Sequence, residues 1–124
     1  MKYNFNDVFN MYFGEPTTRV LEFNDLISYL DEVIYFAKVG KFISIFSDEI
    51  NCNIERFVIT DKFEKAIRKL VKNKEIEILN EIKEVLLTLE NRKTTLNNIK
   101  LANGKIIFYY KLSSNIAIIS LEII

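Results

Sequence analysis

The chain contains no histidine. That removes the Ser-His-Asp triad, the Cys-His pair and the usual zinc sites from the chemistry open to it. It has one cysteine, Cys52, so no disulfide can form within the chain. An unpaired and inert thiol fits a reducing, cytoplasmic setting. The three glycines, Gly14, Gly40 and Gly104, stand far apart. None belongs to a phosphate-cradling loop, and each reads as a cap or turn residue. With one proline in 124 residues, little of the chain reads as linker or disordered tail. No apolar run approaches the roughly 18 residues of a membrane span, which predicts no membrane partner. The opening residues carry Asp7 and no long apolar core, unlike a secretory signal. No metal or cofactor motif is visible.

Net charge is also absent, because 17 Lys/Arg balance 17 Asp/Glu. A neutral total argues against bulk attraction to nucleic acid or membrane. The charges are nevertheless unevenly placed. Residues 1–54 hold 4 Lys/Arg against 8 Asp/Glu, and residues 55–111 hold 13 against 8. A local basic surface, or an acidic part covering a basic part, follows from that split.

What is present is hydrophobic patterning. Apolar residues make up 49% of the chain, enough for one domain over 1–124 with a core of its own. Residues 5–13 read as a short helix capped by Asn6 and stopped by Gly14 and Pro16. Residues 18–23 read as a short strand. From Leu26 the apolar residues fall at 26, 27, 30, 33, 34 and 37, which predicts a helix capped by Asn24 and ended at Lys38 and Gly40. Residues 41–47 and 54–60 are rich in β-formers and read as strands, with Ile54, Phe57 and Ile59 as the buried set.

Asp61 and Glu64 then have the spacing of a helix start. Phe63, Ala66, Ile67, Leu70 and Val71 trace one apolar stripe, and Lys62, Lys65, Arg68, Lys69 and Lys72 trace the opposite side. Asn73-Lys74 breaks the chain, and 75–91 forms the second arm of a helix hairpin. Residues 99–102, 105–112 and 116–124 read as strands of an antiparallel meander. Asn103-Gly104 and Ser113-Ser114-Asn115 are its turns. The most hydrophobic strand, 116–124, should lie centrally; exposed at an edge, it would permit pairing across a dimer. The expected fold class is α+β: a helix hairpin on an antiparallel β-meander, with 1–53 as an N-terminal α/β extension to a 54–124 core.

The block 57–124 resembles the RelE/ParE superfamily of toxin–antitoxin toxins, which run strand, helix hairpin, then meander. Phe57-Val58-Ile59-Thr60-Asp61-Lys62-Phe63 looks like the opening strand and helix. Gly104-Lys105-Ile106-Ile107-Phe108-Tyr109-Tyr110 looks like the glycine-led strand, and Asn115-Ile116-Ala117-Ile118-Ile119 like the last strand. The resemblance implies a toxin-type protein whose partner is an antitoxin, DNA gyrase, or RNA on the ribosome. An RNase of this kind, needing no metal, would use Tyr110 for proton transfer and Lys111, Arg68, Lys69, Arg92 or Lys100 on the phosphate. Yet Ile106-Ile107 stand where the family usually has Tyr-Arg, which turns the expectation from cleavage toward binding.

The residues themselves leave two uses for the cations. Lys62, Lys65, Arg68, Lys69, Lys72, Arg92, Lys93 and Lys100 can neutralise phosphates or an acidic partner, or simply keep an amphipathic helix wet. Tyr109 and Tyr110 are adjacent on a strand and must face opposite sides. The pairs Glu75/Glu77 and Glu81/Glu84 read as a solvated helix face. The dense aromatics Tyr3, Phe5, Phe9, Tyr12 and Phe13 read as a docking face for the first helix. A second function class fits the same inventory: a non-enzymatic inhibitor, such as an immunity protein or an anti-CRISPR-like protein that binds an effector nuclease.

Overall fold

The computed structural model describes residues 4–46, 48–92, 96–102 and 104–124, apart from the side chains of Leu96 and Asn97. In chain order these form α1 (Phe5–Phe13), β1 (Arg19–Leu21), α2 (Phe23–Val39), β2 (Arg56–Ile59), α3 (Asp61–Lys72), α4 (Ile76–Leu87), β3 (Leu96–Lys100), β4 (Ile106–Ser113) and β5 (Ile116–Ile123), with a 3-10 turn at Leu89–Asn91. The fold is α+β. One five-stranded sheet has the order β1-β2-β5-β4-β3.

β3, β4 and β5 form the expected antiparallel meander. The full sheet is mixed, however, because β2 runs parallel to β5 and β1 antiparallel to β2. A parallel pair needs a long crossover, here the α3–α4 hairpin together with β3 and β4. β5 is central, hydrogen-bonded on both sides, so it has no free edge to offer a second copy. The described part of 1–53 is neither a separate cap nor a bystander. It supplies the edge strand β1 and two helices that share the core.

Alternation along the strands decides the layers. Phe57 and Ile59 of β2, Ile106, Phe108 and Tyr110 of β4, and Ala117, Ile119 and Leu121 of β5 are buried under the helices. α3 packs on β5, α2 packs on α3 and α4, and α1 packs on α3. Among the described residues no helix covers the opposite sheet face. Val20, Val58 and Ile118 line up there across β1, β2 and β5, with Lys111 next in the row.

Several starts and turns depart from local expectation. α1 is capped by Asn4, whose Oδ1 accepts from the Asp7 N–H at 2.8 Å, rather than by Asn6. α3 is capped by Thr60, whose hydroxyl accepts from the Phe63 N–H at 3.2 Å. Asn24 lies inside the first turn of α2. Its amide bonds the backbone of Ile50 instead, at 2.9 and 3.4 Å, a partner far away in sequence. Lys74 takes the left-handed conformation (φ 54°) at the break between α3 and α4. Gly104 has φ 70°; Asn103 of that turn lies outside the described residues. Ser114, with φ 56°, turns the chain from β4 into β5.

The strand expected at 41–47 does not form over 41–46; Ser47 lies outside the described residues. The segment runs along α2 and, among the described residues, joins neither edge strand of the sheet, although Ile45 and Phe46 share a hollow with Arg19 and Leu21 of β1. Phe42 stacks on Phe36 and Tyr12, with ring centroids 4.1 and 4.3 Å apart, and meets Phe9 and Phe13 edge-on. The aromatics of α1 therefore do dock that helix, as their density implied; Tyr3 lies outside the described residues.

Candidate functional site

α3 carries two rows of charge beside its apolar stripe. Lys62, Lys65, Lys69 and Lys72 are exposed, while Glu64 and Arg68 are buried, at 1% and 4% exposure. The buried row faces the connection between α1 and β1. There the Glu64 carboxylate takes Arg19 Nε at 3.1 Å and the Thr17 N–H at 2.8 Å. Arg68 donates to Asn10 Oδ1 and to the Gly14 carbonyl, and lies 5.6 Å from the centre of the Phe9 ring. Arg19 also donates to the Phe13 and Glu15 carbonyls. Burial pulls the Arg68 pKa down, while Tyr29 and Glu64 act to raise it. Burial, reinforced by Glu64, pushes the Tyr29 phenol far above its ordinary value, and its hydroxyl has no hydrogen-bond partner among the described residues.

This latch holds α1 alongside α3 and opens a cleft of about 550 Å³ between them. Lys65, Arg68, Lys69 and Lys72 line one side, Asn6, Asn10 and Pro16 the other, and Asn73 closes the end. No carboxylate of the described residues lines it. Lys65 is loosely paired with Asp61 at 3.5 Å, both well exposed, a contact worth little in water. Lys69 and Lys72 have no ion pair among the described residues. They sit in the last turn of α3, where the helix dipole favours cations. The cleft offers several positive charges and three amides in a concave surface of ligand-binding size, which suits an anion.

The other candidate residues lie elsewhere. Lys62 is exposed on α3 but does not line the cleft. Tyr110 is buried under the helices with its hydroxyl unpartnered among the described residues, and Lys111 is exposed on the open sheet face. Strand alternation separates the two, so they do not form one catalytic pair. Lys100 is exposed across β3 from Ile107 on that same open face, with the sheet between it and α3. Arg92 is exposed just beyond the 3-10 turn, and Lys93 lies outside the described residues. Tyr109 is the half-exposed tyrosine; a hydrogen bond with Glu122 raises its pKa. Cys52 is half-buried, and burial raises its thiol pKa, which disfavours the reactive thiolate.

The asparagines of the cleft were not legible as site residues. Asn6 read as a cap and Asn10 carried no reading, because nothing local places α1 beside α3. Arg68 read as one of a row of solvated cations. The one local sign of its different role is Glu64, four residues earlier on the same helix face. No helix of the described residues is long and apolar enough to cross a membrane. No protein-family model, curated protein or solved structure matches the chain.

Proposed function

We propose that this chain is a RelE/ParE-like, toxin-type binding protein that acts by docking an anionic surface of a macromolecular target into the α1–α3 cleft, rather than by cleaving RNA. One observation carries this reading: Lys65, Arg68, Lys69 and Lys72 converge with Asn6, Asn10 and Asn73 around a cleft that no carboxylate of the described residues lines. The order β2-α3-α4-β3-β4-β5 agrees with a strand, helix hairpin and meander. The placement of Tyr110 and Lys111 on opposite faces favours binding over phosphodiester chemistry. Fixed cations beside neutral amides attract phosphates or clustered carboxylates and release counterions on binding.

The test is capture of partners by tagged protein, with and without the triple substitution Lys65→Glu, Lys69→Glu and Lys72→Glu, alongside induced expression with growth and protein synthesis monitored. The expected result is one defined partner, lost in the triple variant and weakened by salt. Gyrase or an antitoxin as that partner supports the toxin-type reading. An effector nuclease moves the protein to the inhibitor class with the same cleft. Retention of the partner by the triple variant removes the cleft from the function. Messenger cleavage abolished by Lys111→Ala restores the RNase reading.

A further inference from the structure

A second surface, independent of the cleft, lies on the acidic side of the molecule. Residues 41–46 and 48–50 run along α2 as a strap with no helix or strand of their own. Its ends are held in place: Phe42 stacks between Phe36 and Tyr12, and the Asn24 amide grips Ile50. Between them, Phe46 is 94% exposed and Ile43 is 40% exposed. Among the described residues, the one hydrogen bond made by the backbone of 41–46 is from the Ile45 N–H to the Glu32 carboxylate, at 3.1 Å. A segment rich in β-formers, fixed at both ends and lacking a ladder partner, leaves backbone groups free to pair with another chain. A large aromatic this exposed on a fixed segment is an anchor in want of a cover.

The chemistry around Phe46 says what covers it. Hollows of about 300 and 410 Å³ flank the ring. Asp25 and Glu32 lie in the first, Asp31 and Asp48 in the second. The two cations there are already committed, Arg19 to Glu64 and Lys83 to Asp31 at 2.6 Å. Asp25, Glu32 and Asp48 have no ion pair among the described residues. An acidic rim around an aromatic anchor repels nucleic acid and attracts a basic chain.

We propose that the strap, residues 41–46 and 48–50, is a docking surface for an extended, Lys/Arg-rich segment of a partner protein. The segment adds to the strap as a strand, its cations meeting Asp25, Glu32 and Asp48 and its apolar residues covering Phe46 and Ile43. A second copy of this chain fits poorly as the occupant, because its own row of lysines lies on the helix α3, which cannot add as a strand.

The test titrates a short peptide of alternating lysine and valine into the isotope-labelled full chain, with a glutamate-for-lysine peptide as control, and follows backbone amide shifts. The lysine peptide is expected to shift amides of 41–46 and 48–50 and those near Asp25 and Glu32. Phe46→Ser should weaken it roughly ten-fold, an anchor-sized effect, without changing the thermal midpoint. Asp25→Asn with Asp48→Asn should weaken it and flatten its salt dependence, and Lys69→Glu should leave it unchanged. Equal binding of the glutamate peptide, shifts mapping elsewhere, no binding, or strap shifts that grow with protein concentration alone would each overturn the proposal.

Discussion

On α3, Glu64 and Arg68 form one row and Lys65, Lys69 and Lys72 the next, a single residue apart in sequence. The first row is buried against α1 and β1, with hydrogen bonds closing on it from Arg19, Thr17, Asn10 and Gly14. The second stands in water at the lip of a cleft. A buried charge is costly to orphan, so each member of the first row is structural. An exposed lysine contributes little to folding and is free to meet a ligand. Burial, rather than residue type, divides the helix into a part that holds the site and a part that uses it.

The sharpest way to break this division is Glu64→Ala. It strips Arg19 and the Thr17 N–H of their buried acceptor and should cost about 3–5 kcal/mol by chemical denaturation. A loss below about 1 kcal/mol would show that water reaches the latch. Arg68→Met should cost less, about 1–3 kcal/mol, because the lost donors serve two neutral acceptors, Asn10 Oδ1 and the Gly14 carbonyl. It should also widen the gap between α1 and α3, seen as faster amide exchange in α1.

Tyr29 refines the comparison through pH. Its folded-state pKa is raised, so between the unfolded value of about 10 and the folded value the native state holds a proton that the unfolded chain has lost. The stability this contributes is fully present below pH about 10 and falls as pH rises through the folded value. Tyr29→Phe should flatten the alkaline loss and leave stability at neutral pH unchanged or slightly higher, since the deleted hydroxyl has no partner among the described residues. An unaltered alkaline profile would place the titrating group elsewhere.

The smallest stability effect belongs to the second row. Lys69→Ala or Lys72→Ala should change stability by less than about 0.5 kcal/mol. If the cleft binds a polyanion, each should reduce the slope of log affinity against log salt by about 0.7–0.9. An effect on folding without an effect on that slope would reverse the roles of the two rows.

Much of the fold is readable from periodicity, because the information is local. Phe63, Ala66, Ile67, Leu70 and Val71 announce the buried stripe of α3, and all five are buried. Ile106, Phe108 and Tyr110 alternate inward against Ile107, Tyr109 and Lys111, and the meander follows. The cap of α1 was misplaced by two residues, a local slip, but two larger misjudgements share one cause, a partner distant along the chain. Asn24 looked like a cap until Ile50 came to it. The segment 41–46 has the composition of a strand, but its Phe42 packs against α1 and α2, and its backbone joins no sheet among the described residues.

Side-chain spacing was enough to place Phe57 inside, to separate Tyr109 from Tyr110, and to put lysines along the outer side of α3. It was blind to the parallel pairing of β2 with β5, to Arg68 turning inward, and to Asn6 and Asn10 arriving opposite Lys65 and Lys69. The physical reason is range. A helix or strand period is written within a few residues, whereas the burial of a charge and the walls of a cleft depend on which elements pack together. That is settled by the free energy of the folded chain as a whole.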